Sequence, residues 1–262
     1  MDIDLLIHVA IAALFAMFLG FLYQTKAKNA GIVDAIWAFG IMTASLYFAV
    51  RGNGAVEIRT LMAILSGVWF FRLGLHIFLR MLSEAEDGRY AHVRNLYGKK
   101  VNWFHAPFFS FQAGLIVLFS LPMWFVAHHQ NPSTVAMSIA AIIIVLAFIG
   151  EYQADHQLHL FRSDPDNKGK TCRQGLWKYS RHPNYFFEWL HWFAYPILAI
   201  GMQHAYCLWL APACMFLFLW YITGIPFTEQ QAIKSRGDDY RHYQKSTSAF
   251  FPWIPKKPPN NV

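Results

Sequence analysis

The sequence predicts an all-α polytopic membrane protein with seven transmembrane helices, its N-terminus outside and its C-terminus cytoplasmic. Three observations predict it. Of 262 residues, 56% are hydrophobic and only 14% are charged, where a soluble domain carries about a quarter. The charges collect between apolar runs, most of which approach the roughly 20 residues a helix needs to cross a bilayer. Lysine and arginine crowd alternate connections and thin out in the others, the bias that orients membrane helices. No stretch outside the apolar runs is long enough for a separate soluble domain, so residues 1–262 are taken as one integral membrane domain.

The apolar segments run over 5–23, 32–50, 61–82, 104–127, 135–151, 185–201 and 206–227. The first lacks a small-residue cleavage site and is expected to stay as an anchor. The second opens with Asp34, and the third carries Arg72 and His76. The fourth and fifth are joined by a connection without lysine or arginine, residues 128–134. The sixth is the shortest and carries Glu188, His191 and Pro196. Basic connections follow segments one (Lys26, Lys28), three (Arg80, Arg89, Arg94, Lys99, Lys100) and five (Arg162, Lys168, Lys170, Arg173, Lys178, Arg181). The basic tail, Lys234 to Lys257, belongs to the same side. The net charge of +7 is therefore largely a topology signal and no argument for nucleic acid.

The expected chemistry is narrowed by absences. Cys172, Cys207 and Cys214 form no C-x-x-C pair, so neither a disulfide nor a structural zinc site is expected. There is no H-E-x-x-H, and His156 and His159 stand without further ligand boxes, so no metal is assigned. G-x-G-x-x-G and G-K-[ST] are missing too, which leaves out the Rossmann and P-loop phosphate sites.

Ionisable groups at membrane depth are costly and mark functional sites by default. Asp34 and Trp37 share one helix face, as do Trp69, Arg72 and His76. Asp34 and Arg72 are candidate partners, either as a structural ion pair or as the polar wall of a substrate cavity. Glu151, Asp155 and Arg162 form a stripe on a helix leaving the membrane, and Asn184, Glu188 and His191 form another. Between them lies the densest polar stretch, Arg173 to Glu188, in which Pro183 suits the first turn of a helix. A basic loop feeding a helix N-terminus is an anion site in outline. Glu229, Tyr240 and Tyr243 follow in the tail, and residues 251–255 are expected to plug the domain.

Ala154-Asp155 through Phe161-Arg162, then Gly175-Leu-Trp-Lys-Tyr-Ser-Arg-His-Pro-Asn-Tyr-Phe-Phe-Glu188, then Glu229 and Asp239-Tyr240 through Phe251-Pro252, resemble the steroid 5-alpha-reductase family, in its bacterial branch. Upstream, Asp34-Ala-Ile-Trp37, Trp69-Phe-Phe-Arg72 and Glu86-Asp-Gly-Arg-Tyr90 resemble the same branch. The resemblance implies seven membrane helices, with 1–130 facing the substrate and 131–262 binding NADPH. It implies hydride transfer to the carbon–carbon double bond of an apolar enone, typically a 3-oxo-4-ene steroid, in a bacterial inner membrane with the cofactor site facing the cytoplasm. Carried over residue by residue, Asp155, Arg162, Arg173, Tyr179, His182, Asn184 and Glu188 line the NADPH site. Glu229 and Tyr240 join them, and Arg89 and Arg94 reach the adenosine 2′-phosphate. On the substrate side the family uses a Gln-Glu pair and a Tyr to polarise the carbonyl. Here the matching places hold Asp34 and Trp69, with Trp37 beside them. Arg-His-Pro followed by Tyr, with a downstream Glu and Tyr-x-x-Tyr, also resembles the isoprenylcysteine carboxyl methyltransferases, which bind S-adenosylmethionine. Asn184 and the Asp155–Arg162 stripe favour the reductases, and a basic loop suits a cofactor with three phosphates better than a sulfonium.

Overall fold

Inside a bilayer each backbone N–H and C=O has to find its partner within the protein, and a helix does this within its own segment. The computed structural model describes residues 2–222 and 224–256, and among them helices account for all regular structure except one isolated bridge between Ser180 and Ser248. Lys257 of the basic tail lies outside the described residues. The helices are α1 (Asp4–Ala27), α2 (Ile32–Arg51), α3 (Val56–Ser83), α4 (Gly88–Tyr97), α5 (Val101–Val126), α6 (Thr134–Ser163), α7 (Pro183–His191), α8 (Ala194–Leu198), α9 (Leu210–Leu217), α10 (Ile225–Arg236) and α11 (Asp238–Ser246). Six helical stretches are long and apolar enough to cross a membrane: α1, α2, α3, α4 running into α5, α6, and Ala205–Arg236. The chain is an integral membrane protein. Segment 185–201 is not among the six, because its helix breaks at Trp192 and Phe193 into α7 and the short α8.

The chain divides into two compact units, Met1–Met137 with Leu198–Ala205, and Ser138–Ile197 with Tyr206–Val262. In the first, α1 buries Leu5, Val9, Ala13, Met17, Gly20 and Gln24. These recur every three or four residues, one stripe of a helix, and the stripe packs on α2 and α5. The opposite face leaves Ile7, Ile11, Leu14, Phe15 and Phe18 exposed, a continuous apolar surface that lipid solvates and water would not. α1 and α5 run antiparallel. Asp2 accepts a hydrogen bond from Trp124 at 2.8 Å at one end, and at the other Gln24 donates to Asn102 at 3.0 Å.

Close to the Asp2 end, the α2–α3 connection is pinned to the end of α5. Gly54 N donates to Ala127 O at 2.9 Å and Ala55 N to His129 O at 2.8 Å. Arg59 holds the same turn through Nε to Gly54 O at 2.9 Å and Nη1 to Ala49 O at 2.7 Å.

In the second unit, Phe250 is fully buried and rings of Phe186, Trp189, Phe216 and Trp220 surround it. Residues 251–255 are therefore not the plug expected of them, since Phe251, Trp253 and Ile254 are exposed, and the buried ring is the preceding Phe250. The reason is local. Trp253 N donates to Tyr179 O at 2.9 Å and Ser180 Oγ to Phe250 O at 2.8 Å, so the tail lies beside the loop, with Phe250 turned fully inward and Phe251 at the edge of the same ring cluster.

A Cβ at Gly54 would meet Ala127 O at 2.7 Å and His129 N at 2.8 Å, both backbone. Gly54→Ala is expected to lower stability by about 1–3 kcal/mol, seen as a lower thermal midpoint in detergent. Gly114→Ala, mid-helix with nothing within 4 Å of its added carbon, should leave the midpoint unchanged or raise it. Equal effects at the two positions would contradict this packing.

Candidate functional site

Pro183 starts α7 because its missing N–H is one of the helix's unpaired donors. The loop before it is held from outside. Ser180 Oγ accepts from His182 N at 3.1 Å, and Arg181 N donates to Ser248 O at 2.8 Å. The buried Tyr243 hydroxyl hydrogen-bonds to the carbonyls of Ser180, at 3.0 Å, and Trp177. Upstream, Trp177 Nε1 donates to Ala154 O at 2.8 Å and Leu176 N to Gln157 Oε1 at 2.9 Å, which fastens the loop to α6.

The centre of this arrangement is Glu229 on α10. Its Oε1 accepts from Arg181 Nε at 2.6 Å, His182 Nε2 at 3.3 Å and Tyr240 OH at 3.4 Å. Its Oε2 accepts from Gln244 Nε2 at 2.8 Å. Arg181 is held in turn by the tail, since Nη1 donates to Gln244 O at 3.0 Å and Thr247 O at 2.6 Å. Burial holds the His182 imidazole below its ordinary pKa, with the bond to Glu229 pulling the other way. Burial pushes the phenols of Tyr240 and Tyr243 up. His182, Glu229 and Tyr240 therefore come together, as a structural knot that spends its hydrogen bonds internally. Arg181, its principal donor, was not singled out from sequence. Its place beside His182 in Ser-Arg-His-Pro was the available signal.

Arg173 donates from Nη2 to Asp239 Oδ1 and to Asp239 O, each at 2.7 Å, and so is tied to the start of α11. Tyr179 is half exposed, with Lys178 Nζ 5.7 Å from its ring centroid.

Asp155 and Asn184, 29 residues apart, meet: Asn184 Nδ2 donates to Asp155 Oδ1 at 3.2 Å. Asn184 Oδ1 is buried and has no hydrogen-bond partner among the described residues. One turn on, Glu188 is buried, and its carboxylate lies 3.9 Å from the wholly buried His191. Arg162 faces elsewhere. It lines a cavity of about 230 Å³ together with Lys168, Lys170 and Arg236, which sequence reasoning did not assign to a site.

In the other unit, Asp34 pairs with Arg89 and Tyr90, and not with Arg72. Arg89 Nη2 donates to Oδ2 at 2.9 Å and Tyr90 OH to Oδ1 at 2.8 Å. Arg72 stacks its guanidinium on Trp69, 5.4 Å from the ring centroid. Asp87 caps α4 by accepting from Arg89 N at 3.0 Å, and Arg94 forks onto Glu86 at 2.7 and 2.8 Å. Burial pushes the Asp87 and Glu86 carboxyls up, but the bonds and charge of Arg89 and Arg94 outweigh it and both end below the usual range. Arg89 and Arg94 are thus engaged by carboxylates of their own unit. Trp69 is fully buried, and Trp37 packs edge-on to Phe70 and Phe119 at 6.2 and 5.7 Å. Its Nε1 is buried with no hydrogen-bond partner among the described residues. Tyr90 was missed as a site residue, although it closes the Glu86-Asp-Gly-Arg-Tyr90 run.

Comparison with known proteins adds a family. The family described as "Protein of unknown function (DUF1295)" matches residues 20–247. An uncharacterized protein of Schizosaccharomyces pombe (strain 972 / ATCC 24843) is 24% identical over 255 residues, covering 86% of this chain and 73% of the relative. No solved structure matches significantly.

Because the folded state holds His182 below the free imidazole value of 6.5, the unfolded chain binds the proton more readily. That contribution to stability is present above about 6.5 and is lost as pH falls. The thermal midpoint should drop on acidification from neutral pH, and His182→Gln should remove part of that drop. An identical pH profile in the variant would count against the buried neutral imidazole. Glu229→Ala strands the mostly buried Arg181 and is expected to cost about 3–5 kcal/mol, read from the same melting curves.

Proposed function

The chain belongs to the DUF1295 family, and from that premise we propose that it is an NADPH-dependent membrane reductase. Its substrate is an apolar enone, of which a 3-oxo-4-ene steroid is the leading case, as in the steroid 5-alpha-reductases. The observation that carries this reading is the Asp155–Asn184 pair. The two polar stripes expected to hold the cofactor converge through it, and Asn184 keeps a buried acceptor that asks for a donor. A buried carbonyl without a donor is costly, and a ligand that supplies an N–H relieves it. The nicotinamide carboxamide is such a donor, so these residues fit the group.

In this reading Asp155 fixes the Asn184 amide so that Oδ1, and not Nδ2, faces the ligand. Glu188, one turn further along α7, offers a second buried carboxylate on the same stripe. NADPH, when bound, supplies the hydride to the beta carbon of the enone. On the substrate side, the phenol–carboxylate pair Tyr90–Asp34 supports the polarising role that the resemblance assigns to a Tyr with an acidic partner. Both Asp34 oxygens accept hydrogen bonds, from Arg89 and Tyr90; in this reading the Tyr90 phenol turns its single hydrogen from Asp34 to the developing oxyanion when substrate binds. Trp69 and Trp37 are apolar walls beside it. The lysine and arginine bias supports an outside N-terminus and a cytoplasmic cofactor loop. α7 with α8 then make the seventh crossing.

The test is titration of the detergent-purified protein with NADPH and with S-adenosylmethionine, alongside mass spectrometry of any co-purified ligand. NADPH binding that weakens at least tenfold in Asn184→Ala supports the reductase. Binding of S-adenosylmethionine instead moves the chain to the methyltransferase reading, and NADPH affinity unchanged by Asn184→Ala removes the site. Tyr90→Phe should lower turnover of a 3-oxo-4-ene steroid by roughly a hundredfold or more with NADPH affinity intact. Full activity would rule out Tyr90 as the acid.

A further inference from the structure

The tail after Phe250 carries an apolar face that the protein does not cover. Trp253 and Ile254 are exposed at 72% and 78%, and Phe251 and the neighbouring Tyr179 are half exposed. The main chain beneath them is pinned twice. Trp253 N donates to Tyr179 O at 2.9 Å, and Lys256 N donates to Ser246 O at 2.8 Å, which closes the tail onto the last turn of α11. With the backbone held, the Trp253 and Ile254 side chains are presented outward in a fixed place.

What they face is indicated by the order of residues along the tail. Phe250 sits inside the ring cluster. Phe251 stacks on Phe216, with centroids 6.1 Å apart and planes at 27°. Phe216 belongs to Ala205–Arg236, a stretch of membrane-crossing length, in which Leu217, Tyr221 and Ile222 are exposed. The apolar face of the tail is thus continuous with a surface that lipid solvates. Trp253 and Ile254 come next, and Lys256 follows. Rings at hydrocarbon depth, an indole at the boundary and an ammonium beyond it are the order in which a membrane interface receives side chains.

Charge points the same way. A cleft of about 350 Å³ lies between the tail and the end of α11, lined by Arg181, Lys245, Ser246, Trp253, Ile254 and Lys256 among others, and no carboxylate lines it. Arg181 is engaged by Glu229. Lys245 and Lys256 are exposed and have no carboxylate within salt-bridge distance among the described residues. Two unmatched ammonium groups beside an indole and an isoleucine complement an anionic phospholipid, with the headgroup against the lysines and the acyl chains against the apolar side chains.

We propose that residues 251–256 form an interfacial strap that seats in the bilayer surface and holds the headgroup of an anionic phospholipid in the cleft at Lys245 and Lys256. The proposal rests on the tail alone and not on the reductase reading.

The full chain is reconstituted into nanodiscs of phosphatidylcholine, with and without phosphatidylglycerol. First, Ile254→Cys is placed in a Cys207→Ser/Cys214→Ser background, which leaves only the buried Cys172, and is labelled with a nitroxide. Its accessibility to oxygen and to a water-soluble nickel chelate is compared with that of a label at Asp166→Cys, an exposed loop position. We expect oxygen to dominate at 254 and the chelate at 166. Equal chelate accessibility at the two positions would put the tail in water and overturn the strap. Second, enrichment of phosphatidylglycerol around the wild type is compared with that around Lys245→Gln/Lys256→Gln. A lysine near an anionic surface changes partitioning by about fivefold, so enrichment should fall by roughly fivefold or more in the variant. In the wild type it should also fall as salt is added. Both lysines are exposed, so the variant should melt with the wild type. Equal enrichment around the two proteins would overturn the lipid site. Neither readout depends on NADPH, so the reductase can fail while the strap stands, and the reverse.

Discussion

Arg181 Nε lies 2.6 Å from Glu229 Oε1, and the position of the loop before α7 follows from that contact. A carboxylate taken out of water has to be supplied with donors, or it is neutralised or expelled. Glu229 collects four of them, from Arg181, His182, Tyr240 and Gln244. To bring those donors within reach, the loop, α10 and α11 must lie against one another. The tail must also run beside the loop, because Arg181 donates from Nη1 to the carbonyls of Gln244 and Thr247. One charge pair thus dictates the course of three segments, and α7 inherits its starting point from it.

The first unit obeys the same rule with different residues. Asp34 and Glu86 stand where apolar helices meet their connections, and each has taken an arginine from α4. Gln24, wholly buried on α1, adds the neutral part of this closure, donating to Asn102 and hydrogen-bonding His105 at 3.1 Å. Apolar packing is indifferent to how far one membrane helix slides along another. Directional bonds at the helix ends are not, and they fix the register of α1, α2 and α5.

Much of this was legible in the residues. Long apolar runs gave up their helices, since a 3.6-residue period and a bilayer's thickness are visible in order of residue type. The stripe on α6 and the polar start of α7 were legible too, and Asp155 and Asn184 do meet. What failed was partner choice. Helical spacing puts Asp155 and Arg162 on one stripe, but it says nothing of depth, and seven residues along the helix separate an amide partner from a cationic cavity. Asp34 was matched to Arg72 because both sit in apolar runs, whereas a connection outside those runs supplied Arg89. The acids that occupy Arg89 and Arg94 were in plain view at Glu86 and Asp87. A basic count taken for topology does not ask whether each cation is already satisfied. Segment 185–201 differs in another way. It reads as one apolar run, but its helix is broken, α7 ending at His191, whose ring bonds back to Glu188 O at 2.6 Å.

Whether a cation is spent or unspent separates structure from function more sharply than its position does. An arginine whose donors are matched by acids and carbonyls gains little from a ligand, because the ligand would first have to displace those bonds. Arg181 comes near that condition through Nε and Nη1, and Arg173 does so through Nη2, dense as their stretch is in polar residues. A cation beside other cations is in the opposite condition. Among exposed side chains such as Arg162, solvent screens that repulsion and its cost is small. Asn184 Oδ1 follows the same logic in neutral form: a buried acceptor held in place by Asp155 and left without a donor. Asn184 is not alone in this, since Thr171 Oγ1 and Tyr195 OH are also buried without a hydrogen-bond partner among the described residues. What sets Asn184 apart is that Asp155 fixes which of its amide atoms is left over, so a ligand that brings an N–H donor relieves it.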